Sequence, residues 1–452
     1  MTDILSDSQT PTLTEYQEVG ARWLVDQGRA ILADDLGLGK TATAIRAVEM
    51  TGLNHALVIC PKTLIPQWQA EVSKFLRRKE VSLSFISYDS FRSNFDKYLP
   101  YSSRQVLIVD EASFIKSPKA QRSQAVVRAA LLYPYVFFLT ATPVRNHPSD
   151  LINMLYVCSY PKVPNYVTSN KPFPILPSIW WRFVRTYFRT KPGYFGGVEI
   201  GDILPNKLTE WDKLLSETML RRTKEILSLP PLSREIVAVP WSIKQELIYS
   251  DLVHGLLRES DGKALPISNA LAISTRMRQA CLNPMLFGGI DESGKAEWLK
   301  EYMEGTGQYH RTLVFCTQAS YIQYLAKYLC KYNPVALYGD LSPLEREKSI
   351  EAFQKGRSNL FLISTLAGGY GLNLQTADVV IHTDLPWTSD EWEQATGRAY
   401  RKGQTMPVHE IILTHPKSID EHILKLCNQK KDIASKTLAI STVLQQIIED
   451  ER

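Results

Sequence analysis

Apolar and polar residues follow two distinct patterns along the first part of the chain. Amphipathic segments such as Ile65–Leu76 predict helices that cover a sheet. Between them lie short, continuous apolar runs, which are typical of strands buried on both faces of a parallel sheet. From Leu13 to about Cys158 the pattern therefore predicts a parallel α/β domain, with strands at Ala56–Cys60, Val106–Val109 and Val136–Leu139.

The α/β pattern returns after a stretch of different composition. Residues 159–287 are mostly helical in pattern and include a proline-rich segment, Pro161–Pro177, and a tryptophan-rich one, Ile179–Tyr187. Residues 419–448 predict one or two terminal helices. We therefore predict an N-terminal α/β lobe over 1–158, a helical insertion with an inter-lobe hinge over 159–287, and a C-terminal α/β lobe with a helical tail over 288–452. The strands expected in the last lobe are Thr312–Cys316, Asn359–Ile363 and Val379–His382.

Composition narrows the class of protein without deciding its partner. Hydrophobic residues make up 44% of the chain and charged residues 22%, which excludes a disordered chain. The net charge of +5 is too small to prove a polyanionic partner. The six cysteines are scattered, which argues against a zinc site or a disulfide framework. Because residues 1–11 are polar and no apolar run is long enough to cross a bilayer, we expect an intracellular protein without membrane contact, cytoplasmic or nuclear, or in the host cytoplasm if viral.

A glycine-rich segment follows the apolar residues 31–33 and has the composition of a phosphate loop. Gly37 and Gly39 allow backbone amides to approach phosphate oxygens, Lys40 supplies a positive charge to the β and γ phosphates, and the Thr41 hydroxyl is a magnesium ligand. Asp34 stands where the general motif has its first glycine. The alternative is an ordinary glycine-rich turn with an exposed lysine.

An acidic pair, Asp110 and Glu111, ends the apolar run at 106–109. In phosphoryl transfer the first carboxylate would hold magnesium through water and the second would polarise the attacking water. Alone, such a pair is more often part of a solvated loop or a helix N-cap. Together with the phosphate loop, it predicts hydrolysis of ATP with Mg²⁺.

The order of these motifs resembles the Snf-two (Swi/Snf-type) family of superfamily-two helicase-like ATPases. The resemblance implies an α/β fold of two RecA-like parallel-sheet lobes with an inserted helical subdomain, and a P-loop motor that translocates along double-stranded DNA. The middle part is most similar to the annealing-helicase branch, whose members rewind strands and remodel forks. The resembling segments are Leu13–Leu24, Ala33–Thr41, Ile59–Trp68, Leu139–Asn146, Met219–Pro231, Leu313–Thr317, Ser364–Leu374 and Gln394–Gln404.

The resemblance assigns residues to the ATP site. Gln17 would contact the adenine edge, and Arg398 and Arg401 would act as arginine fingers. These arginines are three positions apart, which predicts one helical face, and their alternative role is in surface ion pairs. Lys40, Glu111, Arg398 and Arg401 would be catalytic, and Thr41 and Asp110 would hold the metal. The further nucleotide-binding residues would be Asp35, Gly37, Leu38, Gly39, Gly371 and Gln394.

The resemblance also implies contacts with DNA phosphates, from Lys62, Thr63, Ser364, Thr365 and Asn373. Phosphate contacts fix position without reading bases, so binding should lack sequence specificity and weaken with salt. For Thr365 and Asn373 the alternative is a turn that holds the glycine-rich loop.

Aromatic residues alternate with arginines over residues 180–189. Such a segment can stack bases and hold phosphates. We favour the alternative, an amphipathic helix whose rings fill a core while its arginines face water.

Three residues depart from the family pattern: Ser113 and Tyr400 each replace a usual histidine, and Gly397 replaces a usual aspartate. None removes a metal ligand or an arginine finger, so ATP hydrolysis itself should be retained. We expect the departures to weaken the coupling between hydrolysis and DNA binding. The expected partner is DNA, double-stranded or forked, in repair, replication or recombination. The alternatives are a strand-separating DNA or RNA helicase, a nucleotide-gated DNA clamp with little turnover, and a motor subunit of a larger restriction or repair assembly.

Overall fold

The computed structural model divides the chain into two compact units, Met1–Ile226 and Leu227–Arg452. The three-part division expected from the sequence stays a prediction. Outside the described residues lie Gly371, the end of the Leu139–Asn146 segment and nearly all of the proline-rich stretch. The structure describes residues 12–98, 105–117, 120–144, 148–159, 176–192, 198–260, 267–365, 367, 372–429 and 436–450.

The first unit is built around a parallel sheet. Its strands are β1 (Arg29–Leu32), β2 (His55–Cys60), β3 (Ser82–Ser87), β4 (Gln105–Asp110), β5 (Tyr135–Leu139), β6 (Phe188–Pro192), β7 (Val198–Ile203) and β8 (Met219–Leu220). Six of these described strands form the sheet in the order β3-β2-β4-β5-β1-β8, while β6 and β7 form an antiparallel hairpin. Since every pairing in the sheet is parallel, the carboxyl ends of β1, β2, β4 and β5 share one edge.

Helices cover this sheet and complete the core of the unit. They are α1 (Glu15–Gln27), α2 (Lys40–Met50), α3 (Ile65–Phe75), α4 (Tyr88–Ser93), α5 (Gln121–Ala130), α6 (Ile152–Ser159), α7 (Leu176–Tyr187) and α8 (Leu208–Thr218). The continuous apolar runs of β1, β4 and β5 are buried because helices pack on both faces of the sheet.

The second unit repeats the parallel design. Its strands are β9 (Leu232–Ala238), β10 (Thr312–Cys316), β11 (Val335–Leu337), β12 (Leu360–Ser364), β13 (Val379–His382) and β14 (Val408–Thr414). These six described strands pair in parallel in the order β11-β12-β10-β13-β14-β9. Its helices are α9 (Ile243–Ser260), α10 (Ile267–Leu282), α11 (Gly294–Glu304), α12 (Ala319–Tyr328), α13 (Pro343–Gln354), α14 (Ser389–Thr396), α15 (Ile419–Asn428) and α16 (Lys436–Asp450).

The predicted parallel α/β class is confirmed, and the predicted strands agree with β2, β4, β5, β10, β12 and β13 to within a residue at each end. The predicted terminal helices correspond to α15 and α16. The middle of the chain holds helices together with strands: it contributes β8 to the first sheet and β9 to the second, besides the β6–β7 hairpin.

The segment rich in aromatics and arginines forms α7 and the start of β6, and its core interpretation is confirmed. Val184 and Phe188 are buried, and Phe183 packs against the same core. Phe188 lies edge-on to Trp211, with ring centroids 5.0 Å apart. Arg182, Arg185 and Arg189 are exposed.

Among the described helices, none offers an apolar stretch of the length needed to span a bilayer.

Candidate ATP site

The phosphate loop begins at the carboxyl end of β1 and leads directly into α2. Gly37 and Gly39 have φ angles of 87° and 79°, a left-handed conformation that glycine adopts without steric cost. This conformation lets the loop turn sharply so that α2 starts at Lys40. The Lys40 ammonium folds back and donates hydrogen bonds to the carbonyls of Asp34 and Asp35, at 2.7 and 3.3 Å.

Helix α1 holds the loop through the Leu38 carbonyl. The side-chain amide of Gln17 donates to this oxygen at 3.0 Å, and the Tyr16 hydroxyl donates at 3.1 Å. The carbonyl oxygen of the Gln17 side chain accepts from the Thr14 amide at 3.0 Å. A Cβ atom on Gly39 would lie 2.3 Å from Gln17 Nε2. The residue predicted to read adenine is therefore in direct contact with the phosphate loop.

The acidic pair lies at the carboxyl end of β4, on the same edge of the sheet. Asp110 accepts hydrogen bonds from Trp68 Nε1 at 2.8 Å and from the Glu111 amide at 2.9 Å. Glu111 has a φ of 51°, and the Tyr88 hydroxyl donates to the Asp110 carbonyl at 2.7 Å. These bonds fix the backbone turn that orients both carboxylates.

The charges of this edge act on one another. Burial, reinforced by the neighbouring Glu111 carboxylate, raises the pKa of Asp110 to about 6. Burial lowers the pKa of Lys40, and the carboxylates of Glu111, Asp34 and Asp110 oppose that shift. The phosphate loop and the acidic pair are thus close enough for their charges to interact.

These residues fit a magnesium ion. One carboxylate oxygen of Glu111, Oε2, is buried without a hydrogen-bond partner among the described residues. Together with the raised pKa of Asp110, this indicates negative charge that the protein alone does not compensate. Thr41 stands half-buried at the start of α2. Magnesium is usually bound through one or two carboxylates together with substrate phosphates and water, and Asp110 and Thr41 offer ligands of this kind.

The second unit places the predicted arginines beside residues 372–374, which follow the glycine-rich segment in the sequence. Arg401 donates to the Leu372 carbonyl at 3.2 Å, and the Leu374 amide donates to the Arg398 carbonyl at 3.0 Å. Arg398 is buried and Arg401 is half-buried. Gln394 lies in α14, and its buried amide nitrogen has no hydrogen-bond partner among the described residues.

One geometric expectation about the arginines is wrong. They do not share a helical face, because α14 ends at Thr396 and residues 397–401 form turns. The Arg398 amide bonds to the Ala395 carbonyl and the Arg401 amide to the Ala399 carbonyl, so the spacing of three spans consecutive turns. A sequence spacing implies a helical face only where the helix continues.

The residues predicted to contact DNA lie at the carboxyl edges of the two sheets. Lys62 and Thr63 are exposed in a short 3₁₀ turn after β2. Asn373 is exposed and Thr365 is half-buried, with its amide bonded to the Cys316 carbonyl at 2.8 Å. Ser364 is buried at the end of β12, so its side chain is the least accessible of the five.

Sequence reasoning missed two supports of the site. Trp68 lies in a segment that resembles a family motif, but nothing in its position indicated the hydrogen bond to Asp110. Arg222 forms an ion pair with the fully buried side chain of Asp34.

Ser113, which departs from the family pattern, is buried and its hydroxyl has no partner among the described residues.

A phosphate loop and an acidic pair at the carboxyl edge of a parallel sheet define a P-loop nucleotide-binding protein. The family model of the SNF2-related domain matches residues 16–93 and 84–286, more than half of the chain, and that of the helicase conserved C-terminal domain matches residues 294–403. The chain therefore belongs to the SNF2 family and carries the two domains of its ATPase core.

Known proteins resemble nearly the whole chain. "Probable ATP-dependent DNA helicase CHR23" of Arabidopsis thaliana is 27% identical over 486 residues, which cover 94% of this chain and 43% of that protein. "Chromatin structure-remodeling complex subunit snf21" of Schizosaccharomyces pombe is 26% identical, over 94% of this chain and 39% of that protein. The chain spans less than half the length of these relatives. The Sulfolobus solfataricus SWI2/SNF2 ATPase core in complex with dsDNA is 25% identical, with a TM-score of 0.40, over 96% of this chain and 95% of that chain.

Proposed function

We propose that the protein is a DNA-stimulated ATPase that translocates along double-stranded DNA and remodels DNA or protein–DNA complexes. The observation that carries this proposal is the buried, unpartnered carboxylate oxygen of Glu111 beside a phosphate loop, in a chain of the SNF2 family. A buried acceptor without a partner is costly, so it is kept where a reacting molecule will use it.

Hydrolysis would use the groups of the first unit. Glu111 would accept a hydrogen bond from the attacking water and orient it toward the γ phosphate. Lys40 would exchange its bonds to the Asp34 and Asp35 carbonyls for bonds to phosphate oxygens. Thr41 and Asp110 would hold Mg²⁺, which neutralises charge on the β and γ phosphates when bound.

The second unit would supply Arg398 and Arg401 to the γ phosphate. Arginine fingers of this kind are worth on the order of a thousandfold in rate. Arg401 is bonded to the Leu372 carbonyl, next to Asn373, so a change at this DNA-facing position would displace the arginine. Such a link would couple DNA binding to hydrolysis.

DNA would be held by phosphate contacts from Lys62, Thr63, Thr365 and Asn373, and from Ser364 if its loop moves. The relatives include a probable ATP-dependent DNA helicase and a subunit of a chromatin structure-remodeling complex, which supports DNA as the partner. The protein would act on double-stranded or forked DNA in the cytoplasm or nucleus, as a member of the annealing-helicase branch, alone or with protein partners.

The first test is ATP hydrolysis by the purified protein alone and with single-stranded DNA, duplex DNA, forked DNA or RNA. We expect strong stimulation by duplex or forked DNA, and its loss in a Glu111→Gln variant that still binds nucleotide. Stimulation by single strands or RNA alone would favour the helicase alternative. Absence of turnover on every substrate would favour the nucleotide-gated clamp. The feature that supports this alternative is Ser113, whose hydroxyl has no partner among the described residues.

A second test separates translocation from strand separation. Displacement of a third strand from a DNA triplex requires movement along the duplex, whereas separation of a tailed duplex requires unwinding. We expect ATP-dependent triplex displacement without unwinding. Unwinding of the tailed duplex would overturn the translocase proposal in favour of a helicase.

A further inference from the structure

A segment that leaves the first unit runs beside the phosphate loop. We call residues 219–224 the connector. Its strand, β8, pairs with β1, and the pairing continues beyond the strand: the Ala33 amide donates to the Leu220 carbonyl at 2.7 Å and the Asp35 amide to the Arg222 carbonyl at 2.9 Å. The Lys224 amide donates to the Asp35 carboxylate at 3.1 Å. The connector therefore follows the loop residue by residue.

Arg222 adds a side-chain bond at the centre of the connector. Its Nε donates to Asp34 Oδ1 at 2.9 Å, and its Nη2 donates to the other oxygen of the same carboxylate. The Asp34 side chain is fully buried, and that of Arg222 is 13% exposed. Because both oxygens are bonded to one guanidinium, the pair is directional as well as charged. Removal of either partner leaves an uncompensated buried charge.

The same guanidinium also holds helix α1. Arg222 Nη1 donates to the Tyr16 carbonyl, and the guanidinium lies over the Tyr16 ring at 5.1 Å from its centroid. Gly20 leaves room for this arrangement, since a Cβ atom there would lie 2.7 Å from Arg222 Nη2. Tyr16 and Gln17 both bond to the Leu38 carbonyl, so one arginine fixes the loop and the helix that contacts it.

The connector is also the path by which the chain reaches the second unit. That unit begins at Leu227, and β9, which pairs with β14, begins at Leu232. A displacement of β9 would therefore pull on a segment bonded to Asp34 and Asp35. The two-pronged bond between Arg222 and Asp34 adds a side-chain constraint to the backbone bonds that set this register.

We infer that Arg222 is a positioning residue through which the connector sets the phosphate loop and helix α1 for ATP. This inference rests on the proposed function and names an element of its regulation. Asp34, which occupies the place of a glycine in the general motif, accepts both side-chain hydrogen bonds from Arg222. ATP affinity and the stimulation of hydrolysis by DNA both depend on the pair.

The test compares Arg222→Gln with Arg221→Gln, since Arg221 is the adjacent arginine and is exposed. For Arg222→Gln we expect at least a tenfold rise in the Kd of a fluorescent ATP analogue and in the KM for ATP, together with a smaller stimulation by duplex DNA. Arg221→Gln should stay within twofold of the unmodified protein in affinity for the analogue. Asp34→Asn should reproduce the loss, and the double variant Asp34→Asn with Arg222→Gln should lose no more than the worse single variant.

A merely structural role would lower the unfolding temperature and leave Kd and KM unchanged below it, which would overturn the inference. If Arg222→Gln fails to fold, Arg222→Lys, which keeps the charge without the two-pronged bond, and Asp34→Asn, which keeps the size of the side chain, provide the same measurement. Nucleotide binding is measured without DNA. Failure of duplex DNA to stimulate the unmodified protein therefore counts against the proposed function, while an unchanged Kd in the folded variants counts against the role of Arg222.

Discussion

Gly39 in the phosphate loop has no room for a side chain. We expect Gly39→Ala to weaken binding of a fluorescent ATP analogue, because the new Cβ would lie 2.3 Å from Gln17 Nε2 and displace this amide from the Leu38 carbonyl. The left-handed φ of 79° adds a backbone cost of roughly 1 to 2 kcal/mol. Nucleotide titration and thermal unfolding would measure the two effects separately.

Gly52 is the matched control for this substitution. It has a φ of 74° but no atom within 4 Å of the position a Cβ would take. Gly52→Ala should therefore carry a similar free-energy cost for the left-handed backbone conformation, which lowers the unfolding temperature, and leave nucleotide affinity intact. Equal loss of affinity in both variants would contradict the role assigned to the contact with Gln17.

Local sequence patterns predicted the central residues of the site and missed its support. Lys40, Asp110 and Glu111 follow apolar runs, which mark the carboxyl ends of buried strands, and parallel strands bring such ends together. Arg222 pairs with Asp34 across 188 positions of sequence, and no periodicity or motif spacing specifies a partner at that distance.

Among the helices, α7 has a buried face that should contribute to stability and an exposed face that should not. Val184 is fully buried in this helix, and its neighbour Arg185 is exposed. Val184→Asp should destabilise the protein by roughly 3 kcal/mol or more, because it buries an unpaired charge. Arg185→Asp should change the free energy of unfolding by less than about 0.5 kcal/mol. Urea unfolding measures both.

The same pair of variants tests the alternative for this helix. If its arginines bound nucleic acid, Arg185→Asp would raise the concentration of duplex DNA needed for half-maximal ATPase stimulation. We expect no change, because the described rings Trp181, Phe183 and Tyr187 pack against the core of the unit.

Helix α14 is anchored by the buried carboxylate of Glu410. Trp392 Nε1 donates to it at 2.8 Å, Arg234 Nε at 2.6 Å, and His382 lies at 3.1 Å. Burial alone would raise the pKa of Glu410, but the bond and charge of His382 and the charge of Arg234 outweigh it and hold the pKa at about 2. Since α14 leads into Arg398, this anchor also positions the arginine.

A lowered carboxylate pKa gives a defined loss of stability in acid. The ionised Glu410 contributes fully above its ordinary pKa of 4.5, and the contribution disappears as the pH falls toward 2. We expect Glu410→Gln to be less stable than the unmodified protein at pH 7, by roughly 3 kcal/mol, with the difference shrinking between pH 4.5 and 2. Unfolding with urea across this pH range measures it. Glu301→Gln, at an exposed carboxylate, should show no such convergence.

Most central strands were predicted from sequence, except β1 and β14, and the edge strands were not. β10 and β13 are buried along their whole length and appear as continuous apolar runs. β9 is mostly exposed, and its sequence, LSREIVA, carries polar side chains along an edge, so its pattern is not that of a buried strand. The turns that end α14 were missed for a related reason, because Arg398 and Arg401 retain a helical spacing after the helix stops.

At the scale of the whole molecule, DNA binding should depend on salt more than on sequence. We expect the DNA concentration for half-maximal ATPase stimulation to rise steeply between about 50 and 200 mM salt, with a log–log slope of about 0.9 for each phosphate contact. Lys62→Ala should reduce this slope by about one contact. Lys79→Ala, at another exposed lysine outside every motif, should leave it unchanged. An unaltered slope in Lys62→Ala would remove that lysine from the DNA contacts.

The two sheets receive edge strands from a single short stretch of chain, β8 for the first and β9 for the second. Either unit cut short of its edge strand would present bare backbone donors and acceptors, from β1 in one case and β14 in the other. Such an edge recruits strands from neighbouring molecules. Attempts to produce the units as independent fragments should therefore yield aggregates unless the cut falls between Leu220 and Leu232.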